Sequence, residues 1–314
     1  VPASAAVYAA ILVKLIYDGA NTLGVPAWTS LTADIVPIDW RGRYFGSRNT
    51  FMVVAAMLVT FLAGPLITAI GAPRGYQYAI GLAFLIATGS TFSFAHIKEP
   101  LRMPGKISQP AYTPASLWHT LKADRNFMAF CGVAVVWNFS IQIAAPFFNV
   151  YLVQDLKATA AFVGVTMILS NLARLPSLRL FGSLDDRWGS RKVQLFTGFC
   201  IPLLPIFWMF TTAAWHAIPI QVFGGFFWAG YSLSQFNLLL ALSPEDQRPR
   251  YSALYQISVA IAVAAGAALG GFIAGRWGYQ ISFLASGIGR MAAAIIFAIF
   301  VKEIGKIKQP QPTN

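Results

Sequence analysis

Lys14 and Asp18 stand one helical turn apart and put opposite charges into an apolar run covering residues 5–36. A carboxyl group in such a run can carry a proton, because burial disfavours its ionised form while an ammonium four residues away favours it. A permanent Lys14–Asp18 ion pair uses the same two residues and is the structural alternative. Asn21 continues this side one turn on, and Asp34 lies near the end of the run. Further along, Asn138 and Gln142 share a helical face, with Pro146 and Asn149 beyond them. Gln221, Trp228, Tyr231, Gln235 and Asn237 bring amide, indole and phenol groups to the run 216–242. Such groups hydrogen-bond or stack on an organic solute, and they also serve as glue between membrane helices. His96, His119 and His216 are isolated, and Cys131 and Cys200 fall inside apolar runs. No nucleophile–base set, phosphate-binding glycine loop or zinc spacing occurs, so the expectation is no enzyme, no ATP-driven pump, no metal and no cofactor.

The elements that must position these groups follow from composition. The 314 residues are 57% hydrophobic and only 11% charged, with a mean hydropathy of +0.61. Soluble domains run near a quarter charged. Nine apolar runs stand out: 5–36, 46–71, 77–97, 126–153, 159–181, 193–214, 216–242, 252–275 and 279–301. Each is about 20 residues or more, enough for a helix to cross a hydrocarbon core of ~30 Å. A barrel would show segments of about ten alternating residues instead. The expectation is therefore an all-α integral membrane protein with nine transmembrane helices. Alternating the loops between two sides puts fifteen basic residues on one side, among them Arg41, Arg43, Lys98, Arg125, Arg187, Lys192, Arg248 and Lys302. Arg74, Lys157 and Arg276 are left for the other. That bias places the first side in the cytoplasm of a cell inner (plasma) membrane, together with the C-terminus and the loop 98–125. It accounts for the net charge of +12 without a nucleic-acid partner. The Pro- and Lys/Arg-rich loop 98–125 ends in a segment with the character of a short interfacial helix.

A repeat organises the chain. Pro37, Asp39, Arg41, Arg43 and Tyr44 match Pro244, Asp246, Arg248, Arg250 and Tyr251 at an offset of 207. "LAGPLI" at 62–67 meets "LGGFIA" at 269–274 on the same diagonal. Gly75-Tyr76-Gln77 then pairs with Gly278-Tyr279-Gln280 at 203, and Lys98-Glu99 with Lys302-Glu303 at 204. The first three runs thus repeat as the last three, and the three between them lack partners. This predicts residues 1–97 as the last three helices of one half, 98–125 as a central loop, and 126–314 as a complete six-helix half. On this reading the chain is a twelve-helix protein short of its first three helices. Ser243-Pro244-Glu245-Asp246 reads as a helix start, with a hydroxyl N-cap, an early Pro and two carboxylates.

"FGSLDDRWGSRKV", residues 181–193, resembles the loop that marks the major facilitator superfamily, with Gly182, Leu184, Asp186, Arg187, Gly189 and Arg191 in register. Ser190 stands where that pattern has a basic residue, and Lys192 follows. Pro37 to Arg43 is similar to a second loop of the same family. The resemblance implies two six-helix halves rocking about a central site, with Lys14, Asp18, Asn21, Asn138, Gln142, Asn149, Gln221, Trp228, Tyr231 and Gln235 along the pathway. It implies a cytoplasmic gate of Gly182, Asp186, Arg187, Gly189 and Arg191 working with Arg41, Arg43, Arg248 and Arg250, Asp186 docking on segment 37–43. Gly64-Pro65 is similar to a Gly-Pro motif of proton-coupled drug antiporters in that family. The implied function is secondary active transport of a small-molecule substrate, coupled to protons, by a monomer in the lipid bilayer. A non-transporting protein of the same fold, such as an assembly factor or receptor, and an inactive truncated product are the alternatives. Arg290, inside the last run, has no assigned role.

Overall fold

The structure, a computed structural model, describes residues 38–97, 124–244 and 247–302, with seven isolated positions before residue 38. Lys14, Asp18, Asn21, Asp34, Glu245, Asp246 and the expected interfacial helix lie outside the described residues. Arg41, Arg43 and Arg248 lie on helical backbone whose side chains are likewise outside the description. The chain forms two compact units, one of Val1–Val59 with Tyr76–Gln109 and one of Thr60–Gly75 with Pro110–Asn314.

Ten α-helices are described: α1 (Ile38–Ile70), α2 (Arg74–Ala95), α3 (Arg125–Ala144), α4 (Phe147–Gln154), α5 (Ala160–Trp188), α6 (Ser190–Cys200), α7 (Leu203–Met209), α8 (Ala217–Ala241), α9 (Arg248–Trp277) and α10 (Tyr279–Phe300). Two of the predicted runs are each split in two. Prolines explain both splits, since a proline has no N–H to give the preceding turn. Pro146 stands at the start of α4, and Pro202 at the start of α7. Counting α3 with α4 and α6 with α7, six segments among the described residues are long and apolar enough to cross a membrane. α8 is 25 residues long but is not one of them; its amide, hydroxyl and indole groups dilute its hydropathy.

Two expectations change at helix ends. Ser243 does not cap the next helix; its hydroxyl donates back to the Leu239 carbonyl at 2.6 Å and closes α8. α9 begins only at Arg248, with Pro249 in its first turn, where the missing N–H costs nothing. The sequence 181–193 is mostly helix, not loop: Gly182, Asp186 and Arg187 ride the last two turns of α5. Only Gly189 turns the chain, at φ +85° and ψ 149°, a conformation that belongs almost wholly to glycine.

The repeat is visible in the backbone. Gly71 and Gly278 both sit at positive φ, +80° and +87°, between a long helix and the next. They are 207 apart, the offset of the first diagonal, whereas Gly75 lies inside α2. The helices that follow, α2 and α10, each have 22 residues.

In the second unit, α3 lies against both α9 and α10, while α5 packs along α8, and α6 and α7 connect these groups. Close approach comes from small residues, which let membrane helices bring their backbones together. A Cβ on Gly266 would stand 2.3 Å from the Phe139 carbonyl oxygen, and one on Gly270 2.5 Å from that of Ile143. Gly225 lies as tightly on Ser170 of α5, and Gly64 of α1 on the Ala161 backbone, with Thr68 Oγ1 accepting from Ala161 N at 3.3 Å. Pro65 is accommodated within an unbroken α1. At one end, Asp124 caps α3 by accepting from the N–H groups of Asn126 and Phe127 at 3.0 Å.

Candidate functional site

The half-exposed face of α8 carries the polar groups. Gln221, Trp228, Ser232, Gln235 and Leu239 recur at spacings of 7, 4, 3 and 4, which keeps them on one side of a 3.6-residue helix. The other side is packed: a Cβ on Gly230 would strike the Phe181 ring at 2.5 Å, and Tyr231 and Ser234 are buried. Tyr231 stacks on Trp137 of α3, ring centres 4.4 Å apart at 14°, and Trp228 meets both edge-on at 5.7 and 6.2 Å. The three rings form a rigid aromatic wall near the middle of their helices. Trp137 and Tyr231 share a small internal cavity with Gln194 of α6. The indole N–H of Trp137 and the Gln194 Oε1 are buried without a hydrogen-bond partner.

Gln235 donates through Nε2 to the Tyr255 hydroxyl of α9. Asn138 spends its Nδ2 on the Ala134 carbonyl of its own helix at 2.8 Å. Gln142 and Gln221 are half-buried, and Asn149 is exposed on α4. The structure therefore gathers Trp228 and Tyr231 with Trp137 and Gln194, and pairs Gln235 with Tyr255; Trp137, Gln194 and Tyr255 are residues that sequence reasoning missed. Trp137 stands beside Asn138, but a tryptophan in an apolar run carries no signal of its own. Tyr255 is tied to Gln235 only by the crossing of two helices.

At the end of α5 the two neighbouring aspartates separate. Asp185 is buried; its Oδ2 accepts from Asn237 Nδ2 of α8 and from Ser190 Oγ of α6, both at 2.8 Å, while its Oδ1 is buried without a partner. Asp186 and Arg187 are exposed. Arg191 reaches back to α10, donating from Nε to the Val301 carbonyl at 2.6 Å and from Nη2 to that of Ala298 at 2.8 Å. Cations are favoured at a helix C-terminus, where carbonyls have no intrahelical donor. Asn126 adds a second clamp: its side chain exchanges two hydrogen bonds with the Lys302 backbone, at 3.2 and 2.8 Å. Gly182 lies in ordinary contact with Leu233, and Arg250 is half-buried with its Nε unpartnered. No group of three or more His, Cys, Asp or Glu among the described residues could hold a metal ion.

Comparison with known proteins agrees with this architecture. The proteins named "Multi-drug resistance efflux pump PmrA" in two strains of Streptococcus pneumoniae are 23% identical to the chain over 313 residues, covering 96% of it and 75% of their own length. The family model described as Major Facilitator Superfamily matches residues 138–313, from within α3 to beyond α10. With more than half of its length matched in this way, the chain belongs to the Major Facilitator Superfamily of multi-pass membrane transporters.

Proposed function

We propose that the chain works as a proton-coupled secondary transporter that exports a small organic solute by alternating access. The observation that carries this reading is the half-exposed polar and aromatic face of α8, which packs along α5, a helix long and apolar enough to cross a membrane; polar groups held among apolar helices cost free energy unless they serve a ligand or a partner. The pneumococcal relatives, named as efflux pumps, support export as the direction. Lys14 and Asp18 form the coupling site, with Asn21, Asn138, Gln142, Asn149 and Gln221 completing the path. Asp186 acts as the latch of the cytoplasmic gate, drawing on Arg41 or Arg43, while Arg248 and Arg250 serve the equivalent position in the second half. The protein acts as a monomer in the cell inner membrane, with its C-terminus and central loop cytoplasmic.

The test is proton movement in sealed vesicles, comparing the native chain with Asp18→Asn while a panel of solutes is added. A solute-dependent pH change that the substitution abolishes is expected. Solute flux without any pH response returns Asp18 to an ion pair with Lys14 and makes the protein a facilitator. Absence of flux for every solute favours the non-transporting alternative.

A further inference from the structure

α8 and α9 barely touch each other. Between them lies a groove of about 180 Å³ lined by Ser232, Gln235, Phe236, Leu239, Tyr255 and Gln256. None of these side chains is charged. Four are hydrogen-bonding groups and two are apolar, which describes a site for a neutral polar molecule with a hydrophobic body.

The hydrogen bonding inside the groove is asymmetric. Because the Tyr255 oxygen accepts from Gln235 Nε2, the phenol proton is left to donate outward, and Gln235 Oε1 is left to accept. The two atoms belong to side chains that are already joined, so a donor and an acceptor stand side by side. Tyr255 is held in place from behind by Phe130, whose ring stacks on it at 5.5 Å and 21°. Only 9% of Tyr255 is exposed, whereas 57% of Phe236 is. The Phe236 ring offers an open apolar platform next to the fixed polar pair, and the exposed Gln256 amide borders the same groove.

We propose that this groove binds an uncharged, planar ring compound carrying a donor and an acceptor next to each other, as in a lactam or a cyclic amide. The ligand's carbonyl receives the Tyr255 proton, its N–H donates to Gln235 Oε1, and its ring lies against Phe236 and Leu239. Among the described residues the groove walls carry no counter-charge, so a cation or an anion would lose hydration there without compensation from them. As a description of the transported solute this rests on the transporter reading; as a binding site it does not.

The test uses the purified full chain in lipid nanodiscs with isoindolinone, N-methylisoindolinone and the N,N-dimethylisoindolinium cation, followed by equilibrium dialysis and ligand-observed NMR. Isoindolinone should bind at least about fivefold more tightly than its N-methyl derivative, the scale of one donor left without its acceptor, and the cation should bind more weakly still. Tyr255→Phe should bring isoindolinone down at least about fivefold by removing the proton that its carbonyl receives. Gln235→Met should erase the difference between the lactam and its N-methyl derivative, and it serves on its own where Tyr255→Phe does not fold. Equal binding of lactam and N-methyl lactam, tightest binding of the cation, no binding of any of the three, or lactam discrimination that survives Gln235→Met would each overturn the proposal. Vesicle flux separates the two readings. Discriminating binding without flux leaves the groove standing and sinks transport, whereas flux of other solutes without lactam binding does the reverse.

Discussion

Two adjacent carboxylates, Asp185 and Asp186, are indistinguishable by type but differ in what surrounds them. Asp185 holds an α8 amide and an α6 hydroxyl on one oxygen while buried. Removing it leaves both donors without their acceptor, so Asp185→Ala should lower stability by about 1–3 kcal/mol. Asp186 is exposed, and an exposed charge contributes at most about 1 kcal/mol whatever it pairs with. Asp186→Ala should therefore melt close to the native chain in detergent yet lose solute flux if it is the latch. A loss of melting temperature in Asp186→Ala as large as in Asp185→Ala would contradict this division of labour. Arg290 poses the opposite problem. It is 2% exposed, its Nε has no partner, and no carboxylate among the described residues pairs with it. It continues a buried stripe of Ser282, Ser286 and Ala294 on α10, where Ser286 donates to the Ser140 carbonyl at 2.6 Å. Replacing buried charge by an apolar chain of similar size is commonly neutral or stabilising by about 1–4 kcal/mol. Arg290→Met is accordingly expected to melt at or above the native temperature. A clear drop would show that the guanidinium has a stabilising acceptor.

Helices pack according to which glycines face a neighbour. Gly270 and Gly271 are adjacent on α9, yet a Cβ on Gly270 would stand 2.5 Å from the Ile143 carbonyl oxygen and one on Gly271 would meet nothing within 4 Å. Backbone atoms cannot move aside as a flexible side chain would. Gly270→Ala should therefore destabilise the α9–α3 contact by about 1–3 kcal/mol, whereas Gly271→Ala should gain up to about 1 kcal/mol of helix propensity. Detergent melting of the two variants reads the sign directly. The same distinction explains what the sequence made legible. Eight of the nine apolar runs correspond to described helices, because spanning length and hydropathy are local properties; in the first only isolated positions are described. The breaks at Pro146 and Pro202 were legible in residue type but not in outcome, since Pro65 and Pro176 sit inside unbroken helices. The polar stripe of α8 was legible from spacing. Its partners were not: Trp137, Gln194 and Tyr255 join Tyr231 and Gln235 through contacts between separate helices, and no periodicity reports them. Asp185 was hidden by its neighbour, which fits the family pattern.

At the scale of the second unit, hydrogen bonds fix which helix ends share a side. Arg191, at the start of α6, is bonded to the end of α10, and the Asn126 side chain near the start of α3 is bonded to Lys302. Asp124, Gly189 and Lys302 therefore lie at one end of the unit. α5 leads away from it: 29 residues at 1.5 Å each span about 43 Å, more than a hydrocarbon core of ~30 Å. Lys157, which precedes α5 at φ +54°, and Arg276, which closes α9, therefore belong to the other end. Arg125, Arg187, Arg191, Lys192 and Lys302 crowd the first end, which by the positive-inside rule is the end proposed to face the cytoplasm. The consequence can be read by labelling. In a chain with Cys131 and Cys200 replaced by Ala, Lys157→Cys should react with a membrane-impermeant maleimide in intact cells. Lys192→Cys should react only after the membrane is permeabilised. The reverse pattern would invert the orientation and move the proposed Asp186 latch to the outer face. Labelling of both without permeabilisation would mean that α5 does not cross the membrane, and the distance argument would fail with it.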